Sequence, residues 1–304
     1  TNTPRRWWRG PVSGSCTLAC VEFAPRSVRG WGDGAGLGFA GRWASWTSGR
    51  WTGQVPLAAE DWKPLRTLEG LLKCGVARRV ALAASFEFGR NFEPHQHAFA
   101  HSGLDEVPEL LVVLDDGPIA QLAGRAERGR GGVLTAGLDS EGHRGQVEAI
   151  RSLIAAGDIY QANLAVDFTA TRAPEGAELW RRGLAQGGAD FAAFLSAGGI
   201  EVVSFSPELF LRRRGNRIET RPIKGTARVG PGDDPLEVGA RLLASSKDRA
   251  EHLMIVDLER NDLGRICEPG SVRVEPLFEV TVHPTLVHLE STVHGILRPG
   301  IGLD

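Results

Sequence analysis

The sequence has 304 residues, of which 42% are hydrophobic and 24% are charged, as in ordinary globular proteins. Its 39 Gly and 17 Pro indicate many loops but exclude collagen, coiled coil and general disorder as overall descriptions. The 35 Lys and Arg nearly balance the 37 Asp and Glu, so no overall charge favours nucleic acid or an anionic membrane as a partner.

The first half of the chain gives few clear patterns. Residues 67–74 (TLEGLLKC) favour a short helix, and residues 107–114 (VPELLVVL) favour a buried strand. Residues 125–145 are rich in Gly and charge, which is typical of a linker between an N-terminal region, 1–124, and a second domain, 146–304. No run of about 18 uncharged apolar residues predicts a membrane span.

The number and spacing of the cysteines indicate the cellular compartment and whether a zinc site is expected. The cysteines are too few and too scattered for a disulfide framework, and Cys16 and Cys20 lack a second pair that would complete a zinc site. The N-terminal TNTPRRWWRG is not followed by the apolar stretch of a secretory signal. We therefore expect a cytoplasmic protein.

The second half gives sharper patterns. Val147, Ile150 and Ile154 share one helical face, and Gly157 ends that helix. A half-buried strand over 164–171 and a helix from Pro174 to Leu184 follow. Strands are then predicted over 191–195, 201–206, 208–214, 217–221, 271–280 and 285–297, with a hairpin turn at Gly215 and Asn216 and one long helix from residue 235 to 261–264. This order predicts an α+β fold with large, mostly antiparallel sheets flanked by helices.

Four charged or titratable residues of this region have alternative interpretations. Glu208 at a strand start and Lys224 before Gly225 are, taken alone, typical of surface residues. Glu251 has the spacing of an exposed ion pair with Lys247. His288 shares a strand face with other polar residues, and that face could be directed to solvent.

Five sequence phrases, in order, resemble the chorismate-utilising enzymes. They are GDIYQANL (157–164), SFSPELF (204–210), RPIKGT (221–226), SSKDRAEHLMIVDLERNDLGR (245–265) and TLVHLEST (285–292). A weaker phrase, FEFGRNFE (86–93), is similar to one in the N-terminal half of the family, and the similarity is poor before about residue 80. The family includes component I of anthranilate synthase, component I of aminodeoxychorismate synthase, isochorismate synthase and salicylate synthase.

Two positions distinguish the branches of this family. Aminodeoxychorismate synthases carry Lys where this chain has Lys224, whereas anthranilate synthases usually carry Ala. Isochorismate and salicylate synthases carry a water-activating Lys where this chain has Gln161, and an amide has no basic lone pair for that role. The resemblance therefore implies aminodeoxychorismate synthase component I, with anthranilate synthase component I as the alternative.

The resemblance also implies roles for individual residues. Lys224 matches the nucleophile that attacks the chorismate ring, Glu208 the acid that protonates the leaving hydroxyl, and His288 a hydrogen-bond donor or base. Glu251 matches a Mg²⁺ ligand, and the expected partners are chorismate, ammonia and a glutamine amidotransferase subunit or domain. Substrate contacts are expected from residues beside these positions, namely Tyr160, Gln161, Gly225 and Thr226.

The sequence departs from the family at its C-terminal end. Family members continue well past the position of Asp304, with further carboxylate-binding residues and a second Mg²⁺-binding Glu. We therefore expect a fold that is incomplete at its C-terminal side. A non-catalytic remnant that keeps Glu208, Lys224 and Glu251 is the alternative to an active enzyme.

Overall fold

The computed structural model describes residues 19–23, 38–47, 50–54, 64–74, 80–85, 88, 110–118, 132–172, 174–186 and 189–302. Cys16, most of the phrase 86–93 and the first part of the predicted linker, 125–131, lie outside the described residues.

Helices and strands alternate in short blocks along the described chain. The helices are α1 (Pro64–Lys73), α2 (Ser140–Ala156), α3 (Gly176–Ala185), α4 (Pro235–Ala244) and α5 (Ser246–Ile266). The strands before α4 are β1 (Ala19–Phe23), β2 (Gly38–Thr47), β3 (Arg50–Gly53), β4 (Val80–Ala84), β5 (Leu110–Pro118), β6 (Leu134–Ala136), β7 (Phe168–Ala170), β8 (Phe191–Ala197), β9 (Ile200–Ser206), β10 (Leu209–Arg214), β11 (Arg217–Arg221) and β12 (Ile223–Arg228). Those after α5 are β13 (Arg273–Val274), β14 (Glu279–Val282), β15 (Leu286–Glu290) and β16 (Val293–Ile296).

The largest sheet joins the N-terminal strands to the second half of the chain. Its order is β4-β5-β2-β1-β8-β9, with β3 added beside β2, and every neighbouring pair is antiparallel. Because β1 pairs with β8, this sheet takes strands from both sides of the predicted linker. The stretch 125–145 therefore does not separate the strands of the sheet.

The continuous apolar run at the start of β5 is explained by burial of both faces of the sheet. Alternate residues of Leu110–Leu114 pack with Leu68 and Phe88 on one face and with Leu195 and Ala197 on the other. A strand covered on both faces needs apolar residues at every position, rather than at every second one. The predicted buried strand and the predicted short helix, α1, are both confirmed.

Two smaller antiparallel sheets and two helices form the C-terminal part. One sheet has the order β10-β11-β16-β13 and the other β12-β15-β14. Helix α5 packs Val256 and Leu263 against Ile218 and Val293, while α4 packs on Leu289 of the second small sheet. The predicted hairpin at Gly215 is confirmed between β10 and β11.

The single long helix predicted from residue 235 is wrong, because two helices occupy this stretch. Helix α4 ends at Ala244, and Ser245 has extended backbone angles, φ −68° and ψ 111°. The Ser245 hydroxyl then accepts a hydrogen bond from the amide of Asp248 at 3.3 Å and caps α5. No Gly or Pro stands between Leu243 and Leu253 to mark the break, which explains why the sequence pattern alone did not show it.

Two strand predictions are also corrected. The stretch 285–297 forms two strands, β15 and β16, which belong to different sheets, and Ser291 and Thr292 lie between them. The stretch 164–171 is extended strand only in β7, whose partner is β6. Among the described strands this sheet has two members, and Phe168 is exposed rather than half-buried.

The predicted linker is structured in its described part. It contains β6 and the start of α2, where the Asp139 carboxylate accepts a hydrogen bond from the amide of Gly142 at 2.7 Å. A polar sequence can still begin a helix when it supplies such a cap. Gly157 ends α2 with φ 82°, as predicted.

The overall α+β class, with antiparallel sheets and flanking helices, is confirmed. In the part of the chain that the structure describes, no helix combines the length and apolar character needed to cross a bilayer.

Candidate active site

Lys224 lies at a distortion of strand β12. The pairing of β12 with β15 shifts between Ile223 and Thr226, so Lys224 and Gly225 stand outside the regular ladder. Gly225 has φ 89°, and a Cβ added there would approach a side-chain carbon of Leu289 to 3.3 Å. Glycine therefore permits both the bend and the close approach.

Glu208 lies next to this distortion. It follows strand β9 in a short turn where the Ser206 hydroxyl accepts from the Glu208 amide at 3.2 Å and donates to the Glu208 carbonyl at 3.1 Å. The Glu208 carboxylate accepts a hydrogen bond from the amide of Ile223 at 2.8 Å. The side chain is exposed. The Glu208 carboxylate thus lies at the backbone amide one residue before Lys224, the residue predicted as the nucleophile.

His288 and Thr226 face each other across the same pair of strands. The Thr226 hydroxyl and the Nδ1 atom of His288 are 2.8 Å apart. His288 is only 7% exposed, and Glu290 on the same strand is 8% exposed, so the alternative of a solvent-directed polar face does not hold for these two residues. Helix α4 packs on Val287 and Leu289, which point to the other side of β15. The described neighbours of His288 on its own side are Thr226 and the ring of His283.

Burial also affects the charge of His288. Desolvation and the neighbouring His283 lower the pKa of His288, and a hydrogen bond with the Gly225 backbone opposes this only in part. The rings of His283 and His288 meet edge to face, with centroids 5.1 Å apart. A neutral imidazole beside Thr226 can donate or accept one proton at a fixed position.

Helix α5 contributes His252, which our sequence analysis did not select. Its side chain is fully buried, at 0% exposure. Its Nδ1 atom lies 3.1 Å from the carbonyl oxygen and 3.2 Å from the amide nitrogen of Lys224. Its Nε2 atom lies 2.7 Å from the hydroxyl of Ser291. The only sequence signal was that His252 shares a helix face with Val256 and Leu263, which also fits an ordinary packing role.

Glu251 precedes His252 but points to a more open environment. Its side chain is 38% exposed and forms an ion pair with Lys247 at 3.3 Å. This is the ion pair that its helical spacing indicated as the alternative to metal binding. The carboxylate provides the hard oxygen ligand that Mg²⁺ prefers, and Mg²⁺ in enzymes often uses one or two carboxylates, water and substrate. Among the described residues, no group of three His, Cys, Asp or Glu side chains is placed to hold a metal ion.

Tyr160 and Gln161 are not brought to this cluster by any described contact. They lie between α2 and β7, and Tyr160 is 87% exposed. In the described portion of the structure, no hydrogen bond joins either residue to Lys224, Glu208 or His288. The described contacts therefore link Glu208 to the start of β12 and Thr226 to His288, on either side of Lys224 and Gly225, while Glu251 precedes His252 in α5.

A described cavity lies away from this group. It has a volume of about 620 Å³ and is located at the C-terminal half of α5 and the loop after it. Its lining carries both signs of charge, including Asp257, Arg260, Arg265 and Glu268. None of the sequence-predicted site residues lines it.

We expect the protein to lose stability as the pH falls below about 6.5, the ordinary pKa of histidine. Burial lowers the pKa of both His252 and His288, so the unfolded chain takes up protons at a higher pH than the folded one. Each residue then contributes a slope of up to about 1.4 kcal/mol per pH unit between the two pKa values. Urea unfolding at a series of pH values should show this loss.

His252→Asn removes one of the two groups and should reduce that slope. An unchanged slope in this variant would contradict the assignment of the pH effect to His252.

The chain was compared with known proteins. The model of a family described as chorismate binding enzyme matches residues 97–303. Aminodeoxychorismate synthase component 1 from Klebsiella aerogenes is 44% identical over 160 residues, which cover 52% of this chain and 35% of that protein. An anthranilate synthase component 1 from Haloarcula marismortui is 41% identical over 162 residues, which cover 52% of this chain and 33% of that protein. The chain thus spans about a third of the length of these curated relatives.

The fold also has a counterpart among solved structures. The crystal structure of anthranilate synthase component I from Streptococcus pneumoniae TIGR4 matches with a TM-score of 0.68 at 18% identity. The match covers 99% of this chain and 73% of that chain. At this identity the similarity concerns the fold.

Proposed function

Because this chain belongs to the chorismate binding enzyme family, we propose that it acts as component I of an aminodeoxychorismate synthase. In this role it replaces the C4 hydroxyl of chorismate by an amine from ammonia. The observation that carries the proposal is the position of Lys224 at the β12 distortion, next to the carboxylate of Glu208. Lysine at this position is the feature that distinguishes this branch from anthranilate synthases.

The first half of the proposed reaction forms a covalent adduct. The neutral ε-amine of Lys224 attacks C2 of the ring, the ring double bonds shift, and the C4–oxygen bond breaks. Glu208, as the carboxylic acid, gives its proton to the departing hydroxyl, which leaves as water. Hydroxide alone is a poor leaving group, so this proton is required. The products are a secondary ammonium at C2, a Glu208 carboxylate and one water molecule.

The second half releases the lysine. Ammonia attacks C4, the double bonds shift back, and the bond between C2 and the Lys224 nitrogen breaks, so the neutral amine returns. The new C4 ammonium passes one proton to the Glu208 carboxylate. The balance is then chorismate plus ammonia giving 4-amino-4-deoxychorismate plus water.

The neighbouring residues bind and orient the substrate in this proposal. His288, held by Thr226, supplies a hydrogen bond or accepts a proton near the ring, and Gly225 lets the ring approach the backbone. Glu251 would hold Mg²⁺, which when bound neutralises the ring carboxylate of chorismate. Tyr160 and Gln161 remain proposed substrate contacts that rest on the family resemblance alone.

Ammonia is reactive and protonates readily in water, so a dedicated source is expected. We propose that a glutamine amidotransferase subunit or domain supplies it, in agreement with the description of the relatives as component 1 proteins. Nucleic acid and membrane partners are not part of the proposal. The proposed location is the cytoplasm.

Product analysis tests the proposal directly. The purified protein is incubated with chorismate, ammonium and Mg²⁺, and the products are separated by liquid chromatography with mass detection. We expect 4-amino-4-deoxychorismate. Anthranilate, which is fluorescent, would instead support the alternative that the Haloarcula marismortui relative represents. Formation of neither product, with or without an added glutaminase partner, would support a non-catalytic remnant.

A further inference from the structure

The peptide group of Lys224 has an unusual partner. Residues in a regular antiparallel strand bond to the backbone of the neighbouring strand, but the register shift removes Lys224 from this ladder. A side-chain nitrogen, Nδ1 of His252, instead lies within hydrogen-bond distance of both the Lys224 carbonyl and the Lys224 amide. A buried backbone group without a partner is costly, so this contact supports the distorted conformation.

The other end of the imidazole ring is also fixed. Nε2 is 2.7 Å from the Ser291 hydroxyl, and that hydroxyl accepts a hydrogen bond from the amide of Phe278 at 2.9 Å. The ring of Phe278 packs against His252, with centroids 5.3 Å apart. Ser291 belongs to the turn between β15 and β16, so the imidazole connects three separate segments at one buried point.

Either neutral form of the ring satisfies this arrangement. With the proton on Nδ1, His252 donates to the Lys224 carbonyl and accepts from the Ser291 hydroxyl. With the proton on Nε2, it donates to Ser291 and accepts from the Lys224 amide. In both forms the ring joins the Lys224 peptide to Ser291, so the connection does not depend on which tautomer is present.

We propose that His252 is a positioning residue for Lys224, holding the peptide of the bulge so that the ε-amine leaves the strand toward the substrate. This inference rests on the proposed function, since it gives a purpose to the placement of a nucleophile. His252 touches no substrate in this scheme and acts only through the Lys224 backbone. The expected consequence is a contribution to turnover rather than to substrate affinity, because misplacement of a reacting group by about 1 Å can cost roughly 10²-fold in rate.

A matched pair of variants separates positioning from simple packing. The side-chain amide of Asn reaches as far as Nδ1 of histidine, so His252→Asn can keep the contact with Lys224. The amide of Gln reaches as far as Nε2, so His252→Gln can keep the contact with Ser291 but not that with Lys224. Ser291→Ala tests the second anchor of the ring.

Two measurements are made on the wild-type protein and on each variant. Steady-state kinetics with chorismate and ammonium give kcat and KM, and hydrogen exchange with mass detection follows the peptide that contains Lys224 and Gly225. We expect His252→Gln to lower kcat by roughly 10²-fold with little change in KM, and to speed local amide exchange. His252→Asn should stay within a few-fold of wild type in both, and Ser291→Ala should fall between the two.

The outcomes distinguish a failure of the positioning role of His252 from a failure of the proposed function. Equal kcat values in His252→Gln and wild type would overturn the inference, as would equal losses in the Gln and Asn variants accompanied by equal falls in melting temperature. A wild-type protein that forms neither product nor adduct would overturn the proposed function, and with it the catalytic purpose of the contact. In that case the rate of amide hydrogen exchange near Lys224 would still show whether His252 holds the distorted segment of β12 in place.

Discussion

Replacing Lys224 by alanine is expected to abolish the covalent adduct with chorismate and to lower turnover by roughly 10⁴-fold or more, as loss of a nucleophile does in other enzymes. In the proposed reaction the adduct forms through the Lys224 nitrogen. Free ammonia is not positioned at the strand distortion and therefore cannot take over the role of this amine. Intact-protein mass spectrometry after addition of chorismate measures the adduct, and peptide mapping locates it.

Two further variants sharpen this test. Lys224→Arg keeps a positive charge and a long side chain but offers no neutral amine near pH 7, so it should also fail to form the adduct. Lys73→Ala, which removes an exposed lysine of α1 paired with Glu69, should behave like wild type. An adduct that persists in Lys224→Ala would remove Lys224 from the mechanism.

Replacing Glu208 by glutamine is expected to lower kcat by about 10²- to 10⁴-fold, the usual contribution of a general acid, with a small effect on KM. Glutamine has nearly the same shape, and its carbonyl oxygen can still accept the hydrogen bond from the Ile223 amide. The local fold should therefore survive, while the proton for the departing hydroxyl is lost.

Steady-state kinetics and the melting temperature together test this expectation. Glu237→Gln, which alters an exposed carboxylate in the first turn of α4, serves as the control. Unchanged turnover in Glu208→Gln would mean that another residue is the acid. A large fall in melting temperature would instead assign Glu208 a mainly structural role at the start of β12.

Ion pairs around Arg212 connect strands that lie next to the site. Arg212 forms an ion pair with Glu219, and Arg221 lies 3.6 Å from Glu219 and 3.9 Å from Glu290. All four side chains have low exposure, so Arg212 is not an ordinary solvated surface residue. This network joins β10, β11 and β15, which carry or flank Glu208 and His288.

Much of the fold followed from local patterns. The apolar run of β5, the hairpin at Gly215, the end of α2 at Gly157 and the family phrases were all readable, because each depends on neighbouring residues or on a fixed spacing. The confirmed family membership followed from the phrases in the same way. The family resemblance also indicated Glu208, Lys224 and His288 as candidates, although not their relative positions.

Other features depend on partners distant in the sequence. The sequence could not show that β1 pairs with β8, or that His288 and Glu290 are buried, because burial depends on which strands and helices cover a face. For the same reason His252 gave no functional signal, since its partners Lys224 and Ser291 are 28 and 39 residues away in the chain. The sequence thus determined the family and indicated the groups that we propose to react. Only the tertiary structure decided which backbone groups His252 contacts, because hydrogen bonds between residues distant in the chain leave no periodic pattern in the sequence.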